Sequence, residues 1–520
     1  MPRPRPFVLY VVLAVALAAV FVPMSIVRMA DSDEGAYLIA AKLVMQGKLL
    51  YHDFSYPQMP LLPYLYGIWM KVFGVSWYSA RLLSALLAVA LGLVLFRQVS
   101  VLTENRRIAI GATIAFACSG LGVVWYPAVK TFVFPTLMLF ASWALLDSRA
   151  PADSRWRPAM YVLSGLCLGL AVVTRIYCIV AVFPLAIEIS RREPGRHGLR
   201  HIGWFAAGLA VAFVPILPLF LIGPDTFVFN VLGHHVIRSG GLGPVGDFSQ
   251  KISTVLLLLT LVGSEGATSL QFTTLLLLNA VFVVSRWIAR ERLPPSVGIA
   301  ALLLLVSLVP TPTYTQYACM PLPFMVVNAA LLVGDIRKAL PLDAASTVLR
   351  RKLGLVIAPL VALYALVVPV DVYRFVVGWD VPPLLRIDDW KLPTINRVAR
   401  AIDEEVPRAN PVVITWWPGY VIESKASILP HTENHLNLYY SMELSPSDIG
   451  RYNYISIFEL IDHIRRHTAG LVVLGLFVFD GRPGNQVYDG KPLYRRLLAD
   501  SGYVLVRRIG DTEIYRWSGG

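Results

Sequence analysis

Charged side chains are scarce in this chain of 520 residues, because Asp, Glu, Lys and Arg make up only 15% of it against 56% hydrophobic residues. The mean hydropathy of +0.62 lies far from that of a soluble globular protein. Repeated apolar runs of roughly 18 to 22 residues are each long enough to cross a bilayer. The sequence therefore predicts a polytopic α-helical membrane protein.

Cysteine is also rare, and Cys118, Cys167, Cys178 and Cys319 all lie in apolar runs without metal-ligand spacing. A disulfide framework is therefore not expected. Basic grooves with interleaved aromatic residues are missing too, so the net charge of +13 does not indicate nucleic-acid binding. Lys and Arg instead cluster in short loops on one side of the predicted membrane, as cytoplasmic loops do.

The apolar runs predict about eleven membrane-spanning helices. The first is Phe7–Val27, a retained helix, because its apolar core is longer than that of a signal peptide. With eleven spans, the loop after this helix and the C-terminal part lie on the same, outer face. Residues 1–372 are predicted as a membrane domain and residues 373–520 as a soluble extracytoplasmic α/β domain, with strands and a closing hairpin at Pro411–Trp417, Gly470–Leu474, Tyr503–Arg507 and Glu513–Trp517.

Three carboxylates, Asp31, Asp33 and Glu34, follow directly after the first apolar run. Carboxylates where a helix leaves the membrane are costly to desolvate. They therefore indicate either a chemical function or contact with water and a cationic partner. A carboxylate positioned to take a proton from a hydroxyl contributes about 10²–10⁴-fold in rate. The alternative is that these residues only cap and solubilise a helix end. We hypothesise that at least one of them is catalytic.

The stretch that follows the carboxylates reads Asp33-Glu34-Gly35-Ala36-Tyr37, and further matches are Gly47, Pro60–Leu65, Phe73-Gly74 and Ala80–Leu83. A first helix, an Asp-Glu pair opening the first outer loop and a Pro-containing interfacial stretch resemble the GT-C superfamily of membrane glycosyltransferases. Within it, the pattern is similar to the protein O-mannosyltransferase and lipid A aminoarabinose transferase group (glycosyltransferase families 39 and 83). The similarity is mainly topological from about residue 100 to residue 372.

This resemblance implies a sugar donor linked to a polyprenyl phosphate, from which the sugar is transferred on the outer face with inversion at the anomeric carbon. It implies Asp33 as the base; we keep Glu34 as a second catalytic candidate and Asp31 as a substrate-binding one. The aminoarabinose transferases have Lys-Pro-Pro where this chain reads Gln58-Met59-Pro60. The lysine expected for the lipid phosphate is therefore missing, and other cations must bind the donor.

Cations are few on the predicted outer side, and Lys130, Arg175 and Arg238 are each isolated there. Isolated cations on such a face suit recognition of a phosphate. Snorkelling towards the interface, or pairing with a loop carboxylate, is the alternative.

Polar and aromatic residues near these cations are further substrate-binding candidates. The pair His234-His235 suits contact with sugar hydroxyls, with the leaving phosphate, or with a divalent metal ion held together with Asp33. Its spacing has no specific metal signature, so we expect no definite cofactor and leave a divalent ion open. Tyr56 and Gln58 are candidates for an acceptor groove, and Tyr314, Gln316 and Tyr317 for sugar or polyprenyl contact, with an interfacial aromatic belt as the alternative.

The sequence thus favours an inverting glycosyltransferase in the plasma (inner) membrane of a prokaryote. Its partners would be a polyprenyl-phosphate-linked sugar, a lipid, glycan or protein acceptor, and membrane lipids. A transporter or flippase of a lipid-linked substrate is the main alternative, although the intramembrane charges do not recur in two matching halves, as repeat-built transporters require. A membrane anchor that presents a C-terminal binding domain is a third, and it would not need about eleven spans.

Overall fold

The computed structural model describes residues 6–147, 156–193, 195–239, 243–259, 266–339, 364, 368–377, 387–479 and 490–519. Up to residue 377 the described chain is helical. Its α-helices are Pro6–Val27 (α1), Ser32–Met45 (α2), Leu61–Phe73 (α3), Trp77–Thr103 (α4), Arg106–Ala117 (α5), Gly120–Trp125 (α6), Val133–Leu146 (α7), Arg157–Val172 (α8), Val182–Arg192 (α9), Arg196–Val211 (α10), Leu217–Ile222 (α11), Pro224–Val228 (α12), His234–Ser239 (α13), Gly243–Leu259 (α14), Gly266–Ile288 (α15), Pro295–Ser307 (α16), Leu322–Ala339 (α17) and Val368–Val377. Short 3₁₀ segments lie at Ile176–Ala181, Val214–Ile216 and Thr315–Cys319, and a π-helical turn at Phe229–Gly233.

Four helical stretches of the described chain are long and apolar enough to cross a membrane: Phe7–Val27, Trp77–Thr103, Arg196–Ile222 and Ser269–Ile288. The apolar helices α7, α8 and α16 are shorter. The protein is a polytopic helical membrane protein, as predicted. The count of eleven spans is not confirmed, and the apolar run Leu353–Val370, which predicts the last of them, lies mostly outside the described residues.

One predicted span is broken in the structure. The apolar run Ile108–Val124 predicts one membrane-spanning helix, but in the structure it divides into α5 and α6 at Cys118-Ser119. The side chain of Gln271 lies at the break, where Nε2 donates to Cys118 O at 2.8 Å and Oε1 accepts from Gly120 N–H at 2.7 Å. A break among membrane helices is tolerated because a neighbouring polar side chain satisfies the freed backbone groups.

The apolar run Val255–Val262 is predicted to be too short to span the membrane alone, and the structure does not contradict this, because α14 has 17 residues and is not one of the four stretches long enough to cross. Residues up to Leu259 belong to α14, which begins at Gly243, within residues 223–251 that the sequence predicts as an outer loop. The polar first turns of α14 contain Gly246 and Asp247, so the apolar pattern begins only late in the helix. Residues 260–262 lie outside the described chain.

The C-terminal part contains a five-stranded sheet with the order β2-β1-β3-β5-β4. Its strands are Val412–Thr415 (β1), Ser427–Ile428 (β2), Leu471–Leu474 (β3), Tyr503–Ile509 (β4) and Thr512–Trp517 (β5). The first three strands are parallel, and β5 joins β3 and β4 in antiparallel register, which is the predicted closing hairpin. All of β3 is buried, which explains its continuous apolar run. Helices of this part are Leu392–Glu405, Asn437–Tyr440, Pro446–Arg451, Ile457–Arg465 and Lys491–Asp500.

The sheet unit packs directly against α2. Trp417 Nε1 donates to Ser32 O at 2.8 Å, and Lys42 Nζ donates to Val421 O at 2.7 Å. Gly35 lies between these contacts, and a Cβ atom there would come within 2.8 Å of Trp417 Nε1. The glycine of the sequence match is therefore required by close packing, and the C-terminal unit and α2 share one apolar core.

Candidate functional site

The first turn of α2 is a capping box. Asp31 Oδ1 accepts a hydrogen bond from the Asp33 N–H at 3.0 Å, and Glu34 Oε2 accepts one from the Asp31 N–H at 2.8 Å. This reciprocal cap fixes the start of the helix, and the positive end of the helix dipole stabilises carboxylates there. Capping is thus the role of Asp31 and Glu34 in the fold, while the carboxylate of Asp33 is not used by the cap.

Glu34 is fully buried and is held by arginines. Its Oε1 accepts from Arg81 Nε at 2.9 Å and from the Val129 N–H at 2.8 Å, and its Oε2 lies 3.5 Å from Arg28 Nη1. The prediction that Glu34 acts on substrate does not fit this geometry, because both oxygens are bonded inside the protein. Glu34 instead joins α2 and α4 to the loop that carries Lys130.

Lys130 connects the cap to Asp33. Its Nζ lies 2.6 Å from Asp31 Oδ1 and 3.1 Å from Asp33 Oδ2, and the lysine itself is 3% exposed. Burial alone would raise the pKa of Asp33, but the Lys130 ammonium, with smaller contributions from His435 and Arg238, lowers it to about 2. Asp33 is therefore ionised at neutral pH, and its side chain is 37% exposed.

A cavity with about 740 Å³ of empty space, partly open to solvent, lies beside Asp33. Eleven of the thirteen predicted site residues line it: Asp33, Tyr56, Gln58, Lys130, Arg175, His234, His235, Arg238, Tyr314, Gln316 and Tyr317. Asp31 and Glu34 lie outside the lining. Residues from the loop after α2, from the α7 and α13 regions and from the 314–317 segment thus converge on one space.

Two arginines of this cavity have no carboxylate partner in the described part of the chain. Arg175 is 7% exposed, its Nη1 donates to Thr131 Oγ1, and its guanidinium lies 5.0 Å from the centroid of the Tyr317 ring. Arg238 lies 5.5 Å from the centroid of the Tyr314 ring. Arg238 also hydrogen-bonds the phenols of Tyr314 and Tyr440, and because neither arginine has a carboxylate partner among the described residues, both remain suited to an anion.

The histidine pair is neutral at neutral pH. His234 is buried, and burial with the neighbouring His235 and Arg238 lowers its pKa well below the usual value. Its Nδ1 lies 2.6 Å from Tyr454 Oη of the C-terminal unit. Burial also lowers the pKa of His235, to about 4. Neutral imidazoles are suited to hydrogen bonds with hydroxyl groups.

Several polar atoms of the lining are buried without a hydrogen-bond partner among the residues that the structure describes. They are Tyr56 Oη, Arg175 Nε, Arg238 Nε and Glu433 Oε2. Buried polar groups are nearly always bonded, so a group of orphaned donors and acceptors around one space indicates a ligand site. The donors and the carboxyl together suit a ligand that carries both phosphate and hydroxyl groups.

Three contributors were not among the predicted site residues. Arg81 is an arginine inside an apolar span, which is itself a signal of function in a membrane protein. Tyr37 lines the cavity and lies one helical turn after Asp33, a spacing that places both on one face. Glu433 follows Asp33 by 400 residues in the chain, and no local pattern links the two.

A metal site of side chains alone does not form in the described ranges, where no three His, Cys, Asp or Glu residues are grouped to hold an ion. Asp33, considered above as a ligand together with the histidine pair, is paired with Lys130. The arrangement otherwise provides a carboxylate for a proton, two unpaired arginines for an anion, and neutral imidazoles and phenols for hydroxyls.

Comparisons with known proteins find one family and several solved structures that this chain resembles. The family described as dolichyl-phosphate-mannose-protein mannosyltransferase matches residues 56–222, about a third of the chain. ArnT from Cupriavidus metallidurans, solved bound to undecaprenyl phosphate, has a similar structure with a TM-score of 0.63 and 14% identity over 98% of this chain and 97% of its own. Its apo structure gives a TM-score of 0.63 at 15% identity, again over 98% of this chain and 97% of its own.

The mycobacterial arabinofuranosyltransferase AftD gives a TM-score of 0.52 at 17% identity, over 97% of this chain and 40% of its own. No curated protein matches the sequence. At these identities the likeness to solved structures establishes the fold. The resemblance to the GT-C superfamily, and to its ArnT-like and mannosyltransferase-like members, is confirmed.

Proposed function

We propose that this protein is an inverting glycosyltransferase that moves a sugar from a polyprenyl-phosphate-linked donor to an acceptor hydroxyl on the outer face of the membrane. One observation carries the proposal: the ionised Asp33 and the unpaired Arg175 and Arg238 line the same cavity. The undecaprenyl phosphate bound to ArnT, which shares the fold, supports a polyprenyl phosphate as the donor's carrier.

In the proposed reaction, Asp33 accepts the proton as the acceptor O–H bond breaks. The acceptor oxygen then bonds to the anomeric carbon, and the bond from that carbon to the phosphate oxygen breaks with its electron pair on the phosphate. Arg175 and Arg238 neutralise the developing charge, since donors already placed around a leaving group are not reorganised during the reaction. Lys130 holds Asp33 in place and adds positive charge at the same wall.

Tyr56, Gln58 and the histidine pair are assigned to the sugar and acceptor hydroxyls, and Tyr314, Gln316 and Tyr317 to the donor side. The packing of Trp417 on Ser32 supports the proposal that residues 373–520 share the outer face with the loop after α1. Two regions in direct contact outside the bilayer lie on the same side of it. The full proposal is a plasma-membrane protein of about eleven spans in a prokaryote, with a divalent ion left open.

The test is transfer by purified protein in detergent or nanodiscs from a panel of radiolabelled polyprenyl-phosphate hexoses and pentoses. Asp33→Asn should lose about 10²–10⁴-fold in transfer while it still binds undecaprenyl phosphate. Asp31→Asn is the matched comparison, because Asn also caps a helix and the Asp33 carboxylate stays in the cavity. We expect its loss to be much smaller.

Two outcomes would overturn the proposal. Equal activity of Asp33→Asn and the wild type would show that Asp33 is not the base of the reaction. If the protein in proteoliposomes instead moved the lipid-linked sugar across the bilayer without forming a new glycosidic bond, it would be a transporter or flippase and not a glycosyltransferase.

A further inference from the structure

Glu433 is a buried carboxyl that the proposed reaction does not yet use. It lies in the segment between β2 and the helix Asn437–Tyr440 and is 6% exposed. Glu433 and the adjacent Asn434 line the cavity beside Asp33, and Glu433 Oε2 has no hydrogen-bond partner in the described part of the chain. Burying a carboxyl oxygen without a partner is costly, which indicates a group kept for a ligand or a proton.

The segment that carries Glu433 is held firmly over the cavity. Asn437 Nδ2 donates to Ser55 Oγ at 2.7 Å and to His431 O at 3.0 Å. Ser55 belongs to the loop after α2, so these bonds join the C-terminal unit to the wall on which Tyr56 lies. Glu433 is therefore placed by the fold and not by a freely moving loop.

Glu433 and Asp33 have opposite electrostatic surroundings. Asp33 is paired with Lys130 and has a pKa of about 2, whereas burial raises the pKa of Glu433 to about 7, with only backbone hydrogen bonds and the more remote Lys48 opposing it. Because its pKa is so low, Asp33 does not retain a proton at neutral pH. Two carboxyl groups whose pKa values are driven apart in one site commonly divide acid and base roles.

We propose that Glu433 is a second acid–base residue of the reaction, and that it receives the proton which leaves the acceptor hydroxyl through Asp33. The proton passes along water or substrate hydroxyls in the shared cavity to Glu433 Oε2 and then to solvent. The acceptor oxygen keeps its bond to the anomeric carbon, and the phosphate leaves with the electron pair. This inference rests on the proposed function and gives the C-terminal unit a chemical role.

The groups around Glu433 determine how it titrates. Lys48 faces it from the loop after α2, and the His431 backbone donates a hydrogen bond to its carboxyl. His435 lies on the same segment, and its own pKa is lowered to about 4 by burial. The same cavity is also lined by Asp33, the three cations and the histidine pair. Because the histidines are neutral and Asp33 stays ionised, Glu433 is the carboxyl expected to change its charge near neutral pH.

The experiment compares Glu433→Gln with Glu443→Gln, which removes the same charge from an exposed position in the same unit, outside the cavity lining. Infrared difference spectra of the full-length protein, recorded from about pH 5 to pH 9, should contain a protonated-carboxyl band that titrates near neutral. We expect Glu433→Gln to lose this band and Glu443→Gln to keep it. Transfer by Glu433→Gln should fall about 10- to 100-fold in kcat, with KM for the lipid donor nearly unchanged and a flatter pH profile.

Two controls distinguish a role of Glu433 in the reaction from a role in the folded structure: the variant Glu433→Asp and a measurement of undecaprenyl phosphate binding. Glu433→Asp should regain a titrating band and part of the rate, and both variants should bind undecaprenyl phosphate like the wild type. An unchanged rate and pH profile in Glu433→Gln would overturn the inference, and so would lost lipid binding in both variants, which would mean a structural role. Neither result affects the proposed function, which fails only if wild-type protein transfers no sugar or Asp33→Asn retains full transfer.

Discussion

Arginines in two regions of this molecule have opposite partners. Where α7, α9, α15 and α17 end, Arg192 pairs with Asp147 and Glu188, and Arg286 makes two bonds to Asp335, at 2.7 and 2.8 Å. In the cavity beside Asp33, Arg175 and Arg238 have no carboxylate partner among the described residues. The paired arginines have their charge satisfied by the fold, whereas the unpaired ones retain capacity for an anionic ligand.

The Glu34–Arg81 pair belongs to the satisfied kind even though it adjoins the cavity. Both side chains are 0% exposed, so removing one leaves a buried charge without its counterion. These cases teach that nearness to the cavity does not by itself define a functional charge. What distinguishes the two kinds is whether the protein already supplies the counterion.

The largest expected effect is on this buried pair. Glu34→Gln should destabilise the protein by about 3–5 kcal/mol, because Arg81 then stays buried without a carboxylate. Thermal unfolding in detergent measures the loss. The double variant Glu34→Gln with Arg81→Met should recover part of it, and a double variant no more stable than the single one would contradict the account.

Next in size is the loss of an unpaired arginine. Arg175→Gln should lower binding of undecaprenyl phosphate and reduce transfer by about 10²–10³-fold, as expected when one donor to a developing anion is removed. Its thermal stability should change little, since no buried carboxylate loses a partner. Isothermal titration with undecaprenyl phosphate is the direct measurement, and unchanged affinity would remove Arg175 from the phosphate site.

A smaller effect is expected at the paired arginine in the other region. Arg286→Ala removes a partly exposed ion pair and should cost about 1 kcal/mol or less, with the loss reduced at high salt. Binding of undecaprenyl phosphate and transfer should stay within about twofold of the wild type. Equal losses in Arg286→Ala and Arg175→Gln would show that the comparison between the two regions has no functional meaning.

The smallest expected effect concerns pH. The pKa of Asp33 is lowered from 3.8 to about 2 in the folded protein, so its pairing with Lys130 stabilises the fold above about pH 4. This stabilisation is lost as the pH falls through about 2. Acid unfolding of Asp33→Asn should therefore lack part of the wild-type decline between about pH 4 and pH 2. The same decline of stability with falling pH in both proteins would contradict the Lys130–Asp33 pairing.

The comparison of regions also explains which site residues were predictable. Lys130, Arg175 and Arg238 are conspicuous in the sequence because charge is rare in an apolar chain, and all three line the cavity. The capping-box spacing of Asp31 and Glu34 is visible in the sequence, but the burial of Glu34 against Arg81, a residue of another helix, could not be anticipated. A side chain's direction depends on the turn in which it lies and on the helices that pack around that turn.

Parts of the fold were equally predictable from the sequence. The helical periods, the boundaries of Leu61–Phe73 and the closing hairpin at Gly510 follow from local patterns of apolar and turn residues. The break between α5 and α6 does not, because the amide that stabilises it comes from Gln271, more than 150 residues away in the chain. A local sequence pattern cannot predict a partner that is so distant in the chain.

By itself, therefore, the sequence determined that this chain is a membrane protein with a carboxylate cluster after its first helix, because transfer of side chains into lipid is governed by local composition. Only the tertiary structure decided which carboxylate faces a cavity, which arginines have no carboxylate partner among the described residues, and that Glu433 and Asp33 line the same cavity. These are properties of distances between residues far apart in the chain. Burial and counterions, which set the charge of each group, exist only after packing.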